Sequence, residues 1–168
     1  MAFKDNPVIF LTRYVWKYSK DKRYLVIVYN LMFLVAHIIN FFEPLIVGKI
    51  LNIVQEQGLT EASLPSLIFF ASMFIILQIA FWMFHGPGRV MEVNNSFNIR
   101  ANYKKFLLDG VMSLPASWHT DHHSGDTYDK IDKATTALFE YSSRGYEVIE
   151  TLIRFFGSYF ALIYFNLH

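Results

Sequence analysis

Residues 113–126 read SLPASWHTDHHSGD and gather His119, His122, His123, Asp121 and Asp126 around Trp118 and Pro115. So many imidazoles and carboxylates raise metal binding first. His119 and His123 are four apart and share one face of a helix, the spacing of paired zinc ligands. A third ligand from Asp121 or His122 points elsewhere on such a helix, and Asp126 lies beyond Gly125. The set therefore holds two good ligands without a convergent third. Ser/His/Asp catalysis fits less well, since nothing here builds a nucleophile elbow or an oxyanion pocket. A second polar set lies upstream. Asn30, His37, Asn40 and Pro44 follow one another at spacings of seven, three and four and form a stripe on one helix. Two readings stand for it: lining a pathway for a polar solute, or hydrogen bonding between helices. Glu43 falls off the stripe.

The elements that hold these residues are apolar. Of 168 residues, 54% are hydrophobic, 18% aromatic and only 17% charged, against about 25% charge in an ordinary soluble domain. That balance predicts a membrane protein. A formal net charge of +1 argues against nucleic acid as a partner. Without cysteine, disulfides, thiolate metal sites and thiol nucleophiles are excluded.

Three segments carry the apolar composition. Tyr24–Phe42 has no formal charge, and Ser66–Phe84 has Gln78 as its only strongly polar side chain. Each is about 28 Å long as a helix, close to the roughly 30 Å hydrocarbon core. The third, over residues 149–168, is uncharged only from Phe155, and Arg154 snorkelling to the headgroups lets the span begin near Thr151. Spans are thus expected at about 24–47, 66–85 and 149–168. Lys4, Arg13, Lys17, Lys20, Lys22 and Arg23 precede the first span, and Arg89, Arg100, Lys104 and Lys105 follow the second. The connection between these spans, roughly Gly48 to Pro65, holds one lysine. The positive-inside rule then puts the N-terminus and residues 86–148 in the cytoplasm of a multi-pass protein, with the plasma or inner membrane as the expected location. The apolar region is too long for a cleaved signal peptide.

The N-terminal 23 residues have their own pattern. Asn6-Pro7 marks a helix start, Val8, Leu11, Val15 and Tyr18 fall at helical spacing, and Arg13, Lys17 and Lys20 form a basic stripe. This predicts an amphipathic helix lying at the cytoplasmic face of the membrane. Beyond the second span, Val90, Val93, Phe97, Tyr103, Leu107, Val111 and Leu114 keep helical spacing. Tyr128, Ile131, Thr135, Leu138, Ser142, Gly145, Ile149 and Leu152 form an unbroken coiled-coil-like seam. Gly86-Pro87-Gly88 is expected to kink the descending helix. Pro115 ends it, and Ser124 or Asp126 is placed to cap the ascending one. Between them is room for a short helix over residues 115–123.

An elbow helix, paired spans, long cytoplasmic stalks and a short helix at their tip resemble the first half of an ABC exporter transmembrane domain. EPLIVGKILN (43–52) resembles the Pro-and-Gly stretch at the outer end of that family's first helix. IRANYKKFLLDGVMSLPASWHTDHHSGDTYDKI (99–131) resembles its run of Arg, paired leucines, Pro, aromatics and Ser/Thr-Gly-Asp. The chain departs from the family at Trp118-His119, where an aromatic pair is usual, at Lys130, where Arg is common, and at Ala134, near which an Asp is expected. The resemblance implies an all-α membrane fold in which the 115–123 helix docks on a nucleotide-binding domain. Trp118 is then the apolar anchor, and Ser117, His119, Thr120, Asp121, His122 and His123 form its polar rim. It further implies membrane lipid, the remaining transmembrane helices and a second half-transporter as partners, and ATP and Mg on the nucleotide-binding domain alone. No G-x-x-x-x-G-K-[ST] loop occurs, so no catalytic residue is assigned and the chain itself is not expected to be an enzyme. With three of six spans, it reads as a fragment or truncated product. The alternative is a stand-alone three-helix membrane protein, a sensor whose tip binds metal through His119 and His123.

Overall fold

The computed structural model describes residues 6–166, and among these every long regular element is an α-helix. Lys4 and the last two residues of the third expected span lie outside the described residues. The helices are α1 (Pro7–Tyr18), α2 (Arg23–Asn40), α3 (Glu43–Gln57), α4 (Leu64–Met112), α5 (Ala116–Asp121), α6 (Ser124–Ser142) and α7 (Gly145–Asn166). They fall into two compact units. One comprises the chain up to Tyr29 with Arg89–Gly145, the other Asn30–Gly88 with the chain from Tyr146.

In the first unit α1 begins at Pro7, where Asn6 Oδ1 accepts from Val8 N at 2.9 Å and satisfies one of the orphan donors of the first turn. Its other end is closed by Arg23, whose Nε donates to Trp16 O at 3.0 Å. Val15 and Tyr18 join Ile99 of α4 and Leu138 of α6 in an apolar core. Leu11, Val15 and Tyr18 of the α1 stripe are thus spent on protein, while Val8, Ile9, Phe10 and Trp16 remain exposed. Thr12 and Tyr141 share a hydroxyl hydrogen bond of 2.7 Å, which fixes α1 against α6.

The face that α4 buries in this unit differs from the apolar spacing. Val90 and Phe97 are exposed, and the buried positions are Glu92, Asn95, Ser96 and Ile99. Several of the groups on this polar face find partners, although the buried Asn95 Oδ1 has none among the described residues. Asn95 Nδ2 donates to Ser19 Oγ at 3.1 Å, Ser96 Oγ to Glu92 O at 2.8 Å, and Glu92 pairs with Arg89. On α6 the seam residues Ile131, Thr135, Leu138 and Ser142 are buried as spaced, but the seam is not unbroken. Helix α6 stops at Ser142 and α7 starts at Gly145. Arg89 donates to Ser143 O, drawing that carbonyl out of the helical ladder.

In the second unit α2 stops at Asn40, and α3 restarts at Glu43 with Pro44 in its first turn, so the first apolar segment is not one helix through residue 47. Pro44 lacks the N–H that would continue the ladder to Asn40. The connection to α4 is also shorter than Gly48–Pro65, because α3 runs to Gln57. Gly58 ends it at φ +67°, a conformation costly for other residues. Ser63 then ties the turn, its hydroxyl donating to Gly58 O at 2.7 Å and accepting from Thr60 N at 3.0 Å. Helix α4 carries Pro87 in its interior without interruption. Two stretches, Lys20–Gln57 and Leu64–Met112, are long and apolar enough to cross a membrane.

Candidate functional site

The histidine-rich tip belongs to the first unit. Pro115 stands at the N-cap of α5, and Trp118 N donates to Pro115 O at 3.0 Å to close the first turn. The six-residue helix ends at His122, whose backbone is extended. The Trp118 ring stacks on the His122 ring, with centroids 4.2 Å apart and an interplanar angle of 11°. His122 Nδ1 lies 2.9 Å from Trp118 O, and His119 meets the indole edge-on at 5.2 Å. Trp118 alone in the tip is half-buried. Ser117, His119, Thr120, Asp121, His122 and His123 are exposed around it.

Among the described residues no group of three or more metal-binding side chains is assembled, so His119 and His123 gain no third ligand. The expected cap is also different. His123 occupies the N-cap of α6, and neither Ser124 nor Asp126 caps it. Asp126 instead accepts from Lys130 within α6 at 2.8 Å, the geometry of an i,i+4 pair. That pairing, with lysine as the first cause, holds the Asp126 carboxyl below the usual carboxylate range.

Above the tip, α4 and α6 are joined by charge. Lys104 Nζ lies 3.0 Å from Asp132 Oδ1 and Arg100 3.4 Å from the same oxygen, and Arg100 also donates to Thr136 at 3.1 Å. The hydrogen bond from Lys104 depresses the Asp132 pKa. Lys104 itself is raised, first by its hydrogen bond to Tyr128 and then by Asp132. Asp132 and Arg100 were not among the residues singled out for function. Their signal is a lone acid on a seam-flanking position opposite two bases.

The second unit holds a cavity of about 410 Å³ with both polar and apolar walls. His37 and Asn40 of the predicted stripe line it, while Asn30 does not. Glu43 lines it too, because the break at Phe41-Phe42 resets the helical register and returns that carboxylate to the stripe. Helix α7 supplies Arg154 and Ser158. His37 is 5% exposed, and its Nε2 has no hydrogen-bond partner among the described residues. Its ring lies edge-on to Phe81 at 5.9 Å and to His85 at 5.6 Å on α4. Arg154 pairs with Glu150 at 2.8 Å.

The chain matches no family model, no curated protein and no solved structure.

Proposed function

We propose that this chain is part of the membrane domain of an ATP-driven exporter, with α5 as the helix that couples it to a nucleotide-binding domain. The observation that carries this reading is the tip: a six-residue helix between helices of 49 and 19 residues, built on one half-buried tryptophan. A knob of this kind presents one aromatic anchor within a polar rim, the composition of a docking hot spot.

Membrane insertion is supported by α4. None of the residues in its most apolar 18-residue window is buried. Ile68, Phe69, Ile75, Ile76, Ile79, Trp82 and Met83 are all exposed. A monomer in water rarely exposes so large an apolar surface, whereas lipid and further transmembrane helices would cover it without cost. In this reading the N-terminus is cytoplasmic and the protein works as a pair of half-transporters. ATP and Mg bind only to the nucleotide-binding domain, and the cavity of His37, Asn40 and Glu43 lies on the transport pathway.

The absence of cysteine supplies a direct test. Thr120→Cys places a single thiol on α5 for crosslinking in native membranes. A crosslink to an ATP-binding domain that changes on adding ATP is expected; a tip that never reaches such a domain contradicts the assignment.

A further inference from the structure

We infer that the cavity of the second unit binds a small organic monocation, an amine or quaternary ammonium group that also carries a hydroxyl or similar hydrogen-bonding group. Charge is the first argument. One carboxylate and one guanidinium line the cavity, those of Glu43 and Arg154. Arg154 already has its counter-ion in Glu150 at 2.8 Å. No ion pair joins Glu43 to a cation among the described residues, so the unmet charge is a single negative one. Glu43 stands near the outer end of the expected span and is only partly exposed, and a ligand carrying one positive charge gives that carboxylate a counter-ion.

The walls fit the same ligand. Phe41 lines the cavity together with Glu43, and an aromatic side chain can attract an ammonium group through its quadrupole. Pro44 adds apolar surface. The polar end of the ligand is met by Asn40, Ser158 and His37. His37 lines the same cavity while 5% exposed, so it offers only its edge to a ligand. A volume of about 410 Å³ admits a molecule of this size with room for water beside it.

This inference deepens the proposed function and rests on it for the membrane setting and for where the ligand goes next. It is tested by binding alone. The chain is placed in nanodiscs of phosphatidylglycerol, which carry no choline or amine headgroup, and titrated by calorimetry with empty discs subtracted. The probes are choline, the uncharged alcohol in which carbon replaces the nitrogen of choline, and acetate. Saturable choline binding is expected, at least about tenfold tighter than its neutral isostere. Glu43→Gln should remove that preference while the helical content stays unchanged. Equal binding of choline and the isostere, tighter binding of acetate, no binding of choline, or an unaltered preference in Glu43→Gln overturns the inference. Loss of choline binding alongside a tip that still engages an ATP-binding domain ends this inference and leaves the exporter reading standing. Choline binding with an idle tip does the reverse.

Discussion

Arg89 donates a hydrogen bond to the carbonyl oxygen of Ser143, the residue at which α6 gives way to α7, and the same guanidinium pairs with the fully buried Glu92. One side chain thus ends a helix 54 positions away in sequence and neutralises a buried acid on its own helix. Arg89→Leu should destabilise the folded chain by about 3 kcal/mol, the cost of stranding one member of a buried pair. Arg89→Lys should recover part of this, because lysine keeps the charge but loses the planar fork. Denaturant unfolding of the purified chain in detergent measures both. A loss below about 0.5 kcal/mol for Arg89→Leu would show that the pair has no structural role.

Glycines in the second unit should respond in opposite directions. A Cβ on Gly88 would lie 2.9 Å from the Phe33 ring, whereas one on Gly48 would meet nothing within 4 Å. Gly48→Ala in α3 should therefore stabilise by up to about 1 kcal/mol through helix propensity. Gly88→Ala should destabilise by about 1–3 kcal/mol through overpacking. Paired melting curves decide the matter, and equal effects of the two substitutions would contradict the close packing of α4 on Phe33.

Acid should loosen the α4–α6 contact. Asp132 has its pKa lowered in the fold, so its contribution is present above the ordinary carboxylate range and is lost as pH falls through the depressed value. Hydrogen exchange of α6 amides should accelerate as pH drops below about 4, beyond the intrinsic pH dependence. Asp132→Asn should abolish that extra acid sensitivity. Its persistence in the variant would locate the sensitive group elsewhere.

Local signals in the sequence were legible where a helix end depends on its own residues. Asn6-Pro7 starts α1, Pro115 separates α4 from α5, and Ile131, Thr135, Leu138 and Ser142 lie on the buried face of α6. The gap after Ser142 was not legible, because it depends on Arg89, which is distant in sequence. Nor was the buried face of α4. Apolar spacing favours Val90 and Phe97, but Glu92 and Asn95 are buried with Arg89 and Ser19 as partners that no periodicity displays, and Ser96 bonds back to its own helix. The polar stripe of His37 and Asn40 was visible, whereas the cavity needed the break at Phe41-Phe42, which brings in Glu43, and the approach of α7 with Arg154 and Ser158.

The proposed exporter role of the tip is tested most directly by Trp118→Ala in the complex that the proposal assigns to this chain, with ATP hydrolysis and ATP-driven transport measured on the same proteoliposomes. Loss of an aromatic anchor costs about 2 kcal/mol or more at a docking site. Transport per ATP hydrolysed should therefore fall at least about tenfold, while the purified membrane domain keeps its helical content. Trp118→Phe should keep most of the coupling. Unchanged transport per ATP in Trp118→Ala would contradict α5 as the coupling helix.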